Sequence, residues 1–516
     1  MFESHQRHAE SLFLLMEVVR AASQERGSYR SILKSTSLIG GASVLNILIG
    51  MVRTKFVAVL LGPTGVGLLG MYVQIAALVI TVTGMGIKSS GVRQVAEAVG
   101  SGDDGRIART VITLRRTAWL TGGLGFLVMV VFCVPLSRLT FGKADHAGSI
   151  AVLGITLLTG AIADGQGCII NGTRRIGDLA KISVISALSG TMISIPSFYL
   201  WGQAGIVPSL VLSALAALAT SWWFARRVTV KNIALLWRET PGEARKLLLL
   251  GFSLMGAGVV MSLCNYLIRI VMLRQFNLAD VGIYQAAYVL SGILVGFVLS
   301  AMGADYYPRL TAVASDNTSI HRMVNQQLQI SILLALPGLA AMMIFAPLII
   351  KIFYASSFEA AVPILRWCIL GVLGRVLSWP MGFVMLAKGR GKVFFVTEVF
   401  AGLIHLAGVF FFIRIWGLDG AGIAFMVLYA AYTALMLLVM RRLVGATWDR
   451  HTLKLAVMAT TVMVALMLNC VLEAHLMVAW AVNLIVLVGI TWISLKQLSR
   501  QSEIGLQALL LKLRIK

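Results

Sequence analysis

Charge is what this sequence has least of. Only 13% of its 516 residues are Asp, Glu, Lys or Arg, against about 25% in soluble domains. The shortage falls mainly on one sign, with 21 acidic residues against 44 basic ones and a formal net charge of +23. Apolar residues reach 58%, where roughly 45–50% is usual, so a soluble enzyme and a disordered chain are both excluded. Cysteine is scarce as well. Cys133, Cys168, Cys264, Cys368 and Cys470 lie in or beside apolar runs without CxxC or metal-ligand spacing, which makes them small packing residues. The Gly-rich loop that cradles nucleotide phosphates is also missing, so the chain is not expected to hydrolyse ATP. The connections between apolar runs are too short for a folded catalytic domain. No catalytic residue, metal or cofactor is therefore expected, and the chain is not read as an enzyme.

Long apolar runs are what the sequence does have. Fourteen can be counted, centred near residues 48, 76, 123, 159, 191, 214, 260, 292, 339, 374, 403, 430, 462 and 486. At about 1.5 Å rise per residue each is long enough to cross a bilayer. The basic residues gather in alternate connections and at both ends: 34 of the 44 lie on one side, five on the other (Arg138, Lys143, Arg274, Lys351, Arg414) and five within spans. That bias predicts a bacterial inner-membrane protein with both termini in the cytoplasm. It also removes the nucleic-acid reading of the net charge. The stretch from Leu12 to Val19 contains Glu17 and is too short to span. It reads as an interfacial helix or a disordered arm, and no signal peptide is expected ahead of the first span.

The chain repeats itself. Val66-Gly67 and Val281-Gly282 are 215 residues apart, as are Trp201-Gly202-Gln203-Ala204-Gly205 and Trp416-Gly417-Leu418-Asp419-Gly420; Met85-Gly86 and Met302-Gly303 are 217 apart. An offset of six spans keeps the same orientation, so the repeat is parallel. The expected fold is an all-α polytopic membrane protein of about 14 transmembrane helices. Two six-helix lobes flank a central cleft, and a two-helix hairpin follows them. The boundaries read as a cytoplasmic arm (1–32), an N-lobe (33–225), a basic linker (226–246), a C-lobe (247–440), the hairpin (441–496) and a basic amphipathic tail (497–516). Two lobes about a cleft are the basis of alternating access, which makes a carrier the default class.

Five cations lie within spans: Arg53, Lys55, Arg269, Arg366 and Arg375, against the acids Asp164 and Glu398. Each buried cation costs on the order of 2.5–3.5 kcal/mol, so most should face a wet cavity or a partner. Lys55 and Arg269 lie near span ends, where a long side chain can also snorkel to the surface. Asn46 and Arg53, seven apart, share a helical face, as do Asn265 and Arg269, four apart. These residues and Arg375 form the candidate binding stripe of a net cationic cleft, suited to an anionic substrate and, with several arginines, to a pyrophosphate. Asp164 and Glu398 are read either as neutralising partners of the arginines or as carriers of a coupling H+ or Na+. His405, seven from Glu398, is either a packing residue or part of that coupling. Two rivals remain: an ion-coupled antiporter for organic cations, which needs acidic residues to dominate, and a non-transporting scaffold for envelope assembly.

The segment Leu60-Leu61-Gly62-Pro63-Thr64-Gly65-Val66-Gly67-Leu68 resembles the opening signature of Wzx-type O-antigen and lipid III flippases, of the multidrug/oligosaccharidyl-lipid/polysaccharide exporter superfamily. Asp280-Val281-Gly282-Ile283-Tyr284-Gln285, Tyr307-Pro308-Arg309-Leu310, and Ala387-Lys388 through Thr397-Glu398-Val399 carry the likeness further, over about residues 31–440. The resemblance implies a V-shaped cavity that opens to either side. It implies transfer of an undecaprenyl-pyrophosphate-linked oligosaccharide to the outer leaflet, with polymerase or ligase machinery acting beyond it. It aligns Glu398 with a Glu in the family's eleventh span and Arg309 with the Arg after the eighth. The leading thirty residues and the hairpin at 453–496 depart from twelve-span members; related lipid II flippases also have fourteen spans, and there the hairpin is a place for the polyprenyl tail.

Overall fold

The computed structural model describes the backbone of residues 2–229, 231, 233, 240–445, 447–472 and 477–514. The side chains of 2–37, 39, 240–254, 294, 297, 298, 300, 301, 304, 472, 477–479 and 501–514 lie outside that description, and with them the amphipathic pattern expected of the arm and the tail. Among the described residues there are sixteen α-helices and no strands. The first half holds α1 (Phe2–Thr83), α2 (Ile87–Gly100), α3 (Asp104–Val131), α4 (Cys133–Phe141), α5 (Ala147–Gly172), α6 (Ile176–Trp201) and α7 (Ile206–Ala225). The second holds α8 (Thr240–Gln275), α9 (Leu278–Ala312), α10 (Asn317–Ile344), α11 (Ala346–Phe353), α12 (Ala361–Ala387), α13 (Gly391–Trp416) and α14 (Asp419–Val444). A hairpin, α15 (Arg450–Leu472) and α16 (Met477–Arg514), follows.

Eleven helical stretches among the described residues are long and apolar enough to span. Two of them, Gly40–Thr83 and Ile176–Ala225, are 44 and 50 residues long and carry two spans each. With α9, whose apolar part is the shorter Leu278–Ile293, the fourteen expected spans are accounted for. The long stretches are interrupted where the sequence demands it. Gly62 takes a positive φ of 62° inside α1, a conformation open to glycine, and Pro63 then restarts the helix where its missing N–H costs nothing. Gly202 and Gly417, 215 apart, hold φ of 53° and 57° at the ends of α6 and α13.

Packing sorts the spans into two bundles, α1 to α7 and α8 to α14, with the hairpin lying against α10. Arg366, one of the five intramembrane cations, is consumed in fastening that hairpin. Its Nη1 donates to Cys470 O on α15 (3.1 Å) and its Nε to Met343 O on α10 (3.4 Å). At the end carrying most basic connections, the basic face, Asn325 Oδ1 accepts from Asp449 N (2.9 Å) and Gln329 Nε2 donates to Thr452 Oγ1 (2.8 Å).

The bundles touch along α8, where Gln74 Nε2 donates to Ser262 O (3.3 Å) and α2 packs against α8, and at the opposite, far face, where the contact is reciprocal. A Cβ on Gly67 would stand 2.0 Å from Leu278 O, and a Cβ on Gly282 would stand 2.0 Å from Pro63 O. Leu278 follows Pro63 by the repeat offset, so each bundle presents the same glycine to the same carbonyl of the other. The two helix starts are made differently. Pro63 begins one, whereas Asn277 and Asp280 form a capping box on the other, with Asp280 N donating to Asn277 Oδ1 (3.1 Å), which gives Asp280 in the Asp-Val-Gly motif its structural role.

A second reciprocal pair seals this face. Lys55 of α1 donates through Nζ to Lys351 O (2.7 Å) and to Tyr354 O, at the C-terminus of α11 in the second bundle. Arg274 of α8 donates through Nη2 to Arg138 O (3.1 Å) and Leu139 O (2.9 Å), in the last turn of α4 in the first. Each cation meets the unsatisfied carbonyls and the negative dipole end of a short helix. Thr140 and Tyr266 add a buried hydroxyl pair at 2.6 Å.

Two predictions follow from this join. Gly282→Ala should lower the melting temperature of the detergent-solubilised protein, because overpacking costs about 1–3 kcal/mol. Gly123→Ala is the control, since a Cβ there meets nothing within 4 Å. Lys55→Met combined with Arg274→Met should raise the reactivity of a cysteine placed at Tyr266 toward a membrane-impermeant thiol reagent. Unchanged labelling would show that the caps do not hold the far face shut.

Candidate functional site

Two polar clusters lie within the spans, one in each bundle. The second bundle builds its cluster from α8, α9, α12, α13 and α14. Arg269 on α8 is only 4% exposed. Its Nε and Nη2 donate to Gln285 Oε1 on α9 (3.2 and 2.7 Å), and its Nη1 donates to Asn265 O one turn back (2.9 Å). The guanidinium carbon is 5.8 Å from the centre of the Tyr288 ring. These partners are neutral. They take three of its five N–H donors and leave its charge uncancelled.

Glu398 on α13 accepts from the Tyr432 hydroxyl on α14 (2.8 Å). It lines a cavity of about 50 Å³ with Asn265, Cys264, His405, Tyr429 and Tyr432. His405 is buried two turns along the same helix, 5.7 Å from the Phe425 ring centre, and its Nε2 has no hydrogen-bond partner. Arg375 on α12 is half-buried and within Coulombic reach of Glu398 and Tyr429; Arg269 stands in the same relation to His405. Asn265, Arg269, Arg375, Glu398 and His405 are thus brought together in one bundle. The close packing that allows it comes from small residues. A Cβ on Gly374 would meet Tyr429 Cβ at 2.9 Å, and one on Gly402 would meet Cys264 Sγ at 2.6 Å, so the helices approach to backbone contact.

Asn46 and Arg53 stand apart from these, in the first bundle. Asn46 Nδ2 donates to Ser183 Oγ on α6 (2.5 Å). Arg53 lies beside Gly190 on α6, its Nη1 3.7 Å from where a Cβ would be, and next to Ser213 on α7. Asn46 Oδ1, Ser186 Oγ and Ser213 Oγ are all buried without a partner. Of these three, Ser213 is the one beside the Arg53 side chain, and all three lie on the helices α1, α6 and α7 that flank it. Asp164 is elsewhere again. It pairs with Lys88 Nζ at 2.9 Å on the basic face, and the two side chains are 49% and 74% exposed.

Sequence reasoning missed Gln285, Tyr288 and Tyr432, the neutral groups that hold Arg269 and Glu398. Gln285 stood in the Asp280–Gln285 motif, and the only available signal was a polar residue in the apolar start of α9.

Residues 32–314 match the family described as polysaccharide biosynthesis protein. The lipid III flippase of Escherichia coli (strain K12) is 21% identical over 78% of this chain and 97% of its own. The lipopolysaccharide biosynthesis protein WzxC of the same strain is also 21% identical, over 80% of this chain and 82% of its own. Among solved structures, an inward-facing multidrug resistance MATE family transporter of the MOP superfamily superposes with a TM-score of 0.68 at 14% identity, covering 78% of this chain and 98% of that one. The lipid II flippase MurJ, in an inward closed conformation, gives 0.66 at 12% identity and covers 91% of this chain and 99% of its own. With a matched segment spanning more than half its length and the architecture of MOP superfamily transporters, the chain belongs to the polysaccharide biosynthesis protein family.

Proposed function

We propose that this protein is a flippase. Its substrate is an undecaprenyl-pyrophosphate-linked oligosaccharide, an O-antigen unit or a related surface-polysaccharide repeat. It carries this from the cytoplasmic to the periplasmic leaflet of the bacterial inner membrane by alternating access. The observation that carries the proposal is Arg269, a buried guanidinium whose partners are all neutral. Leaving one cation uncancelled within the membrane costs on the order of 2.5–3.5 kcal/mol. Arg53 and Arg375 are two more cations at membrane depth. That expense is retained where a negative group must be received, and a pyrophosphate is such a group. The names of the relatives support the lipid-linked saccharide as its carrier. The charge bias of the connections assigns the basic face to the cytoplasm and both termini with it.

In this reading the lobes are residues 33–225 and 247–440, and the far-face join is the closed gate of a cleft that opens to the cytoplasm. The head group enters between a pocket bearing Asn46 and Arg53 and one bearing Asn265, Arg269 and Arg375, while the polyprenyl tail stays in lipid. Rocking of the lobes releases the Lys55 and Arg274 caps and exposes the head group to the periplasm, where polymerase or ligase machinery takes it. Glu398 is the better of the two carboxylates to carry a coupling H+ or Na+, since it lines a cavity beside His405. Asp164 already has Lys88.

The test is flipping of a polyprenyl-pyrophosphate oligosaccharide in proteoliposomes, scored by access of an external reagent to the sugar. Arg375→Ala and Arg53→Glu should each lower the rate at least about tenfold, the worth of one charged hydrogen bond to phosphate, with the protein still inserted and folded. Wild-type rates in both variants would remove the cationic site. Glu398→Gln keeps an acceptor for Tyr432 but no titratable proton. It should abolish acceleration by an imposed pH or Na+ gradient while downhill exchange persists; an intact gradient response would move coupling off Glu398.

A further inference from the structure

Another cavity lies outside both clusters, on the flank of the first bundle between α3, α5 and α7. Its volume is about 880 Å³, within the roughly 300–1,000 Å³ range of small-molecule sites. The floor is fixed by two close contacts. Ser221 Oγ donates to Gln166 Oε1 at 2.5 Å, tying α7 to α5, and a Cβ on Gly165 would come within 2.9 Å of Ala118 Cβ on α3. The walls are apolar: Ile162, Leu215, Leu218 and Ala219, with Trp119 and Trp222 nearer the mouth. Trp119, Leu120, Leu215 and Trp222 are exposed, which in a spanning helix means facing lipid.

Two arginines stand at the mouth. Arg115 is one turn from Trp119 toward the basic face, and Arg226 is one turn from Trp222 in the same direction. The Arg226 guanidinium carbon lies 3.9 Å from the Trp223 ring centre and 5.1 Å from that of Trp222. Tryptophan at this level marks the membrane–water boundary. Among the described residues no carboxylate lines the cavity. An apolar trough thus opens into the bilayer core, and its polar end holds two cations that no acidic lining residue neutralises. Basic pockets between spans at the cytoplasmic boundary are where anionic lipid head groups bind.

We propose that this groove is a binding site for an anionic diacyl phospholipid of the basic-face leaflet. Its phosphate bridges Arg115 and Arg226, and an acyl chain lies along Ile162, Leu215 and Ala219. Because Arg226 is also the first residue after α7, the lipid anchors the point where the linker to the second bundle departs. The site shares no residue with either charge cluster, so its occupancy is separate from transport.

Native mass spectrometry of the full-length protein in detergent tests this, using phosphatidylglycerol and phosphatidylcholine of identical chains. Wild type should retain one phosphatidylglycerol in clear preference to phosphatidylcholine. Arg115→Gln with Arg226→Gln should weaken the phosphatidylglycerol adduct about 25-fold, roughly fivefold per lost cation, and weaken that of zwitterionic phosphatidylcholine much less. Ala219→Phe fills the trough but keeps both arginines, and it should weaken both adducts. Equal retention of the two lipids by wild type would overturn the proposal. So would an unaltered phosphatidylglycerol adduct in the double variant, or displacement of phosphatidylglycerol by an equimolar polyprenyl phosphate, which would give the groove to a different lipid. None of these readouts depends on flipping.

Discussion

The structure hangs on one reciprocal contact. Gly67 and Gly282 each press against a backbone carbonyl of the other bundle so closely that neither site has room for a Cβ. Two helix starts crossing at backbone distance set the bundles' relative position near the pseudo-twofold axis, and other contacts at this face take their place around it. The crossing lets Lys55 reach the end of α11 and Arg274 the end of α4. It also brings Tyr266 onto Thr140. Association in a membrane gains little from burying apolar surface, because lipid is as apolar as leucine. Close packing at glycine, and hydrogen bonds to carbonyls that would otherwise face hydrocarbon, have to do that work.

Those constraints divide the intramembrane cations into two kinds. Lys55 and Arg366 donate to backbone carbonyls at helix ends or between helices, and their role is to fasten one element to another. Arg269 is held by a glutamine side chain, an asparagine carbonyl and a tyrosine ring, none of which carries a charge. Arg53 sits among hydroxyl and amide groups with hydrogen-bonding capacity left over. A fastening cation spends its donors on carbonyls of another element, whereas Arg269 is held by neutral groups of its own bundle.

The sequence carried the architecture because spanning helices announce themselves by length, and because the repeat is written in glycines that the geometry requires. Gly202 and Gly417 hold nearly the same backbone angles. Gly205 and Gly420 each sit against a carbonyl eight residues earlier, Ser197 O and Phe412 O. Met85-Gly86 and Met302-Gly303 were the weaker marker. Gly86 takes a left-handed conformation at the start of α2, while Gly303 lies inside an unbroken α9. The site was less legible. Helical spacing correctly put Asn265 with Arg269 and Glu398 with His405, because such pairs need only one helix. Which helices lie beside them depends on tertiary packing, so Gln285, Tyr288 and Tyr432 were invisible. Lys55 read as a cation that either snorkels or faces a cavity or partner, because a helix C-terminus 296 residues away in the sequence leaves no local trace.

The unequal state of the two clusters bears on how such a machine could move. In the second bundle the guanidinium of Arg269 and the carboxylate of Glu398 already have partners, and the cavity beside Glu398 is small. In the first, three buried oxygens on the helices flanking Arg53 are unsatisfied. A buried polar atom without a partner costs about 1–3 kcal/mol, so a ligand that satisfies the first pocket recovers more than one that merely exchanges partners in the second. On the proposed reading, charge in the second bundle draws the anion into the cleft, and its first close hydrogen bonds form in the other bundle. A ligand engaged with both halves binds best where the halves are nearest. On the proposed reading, opening the far face requires the Gly67–Gly282 join to pivot and the Lys55 and Arg274 caps to release together.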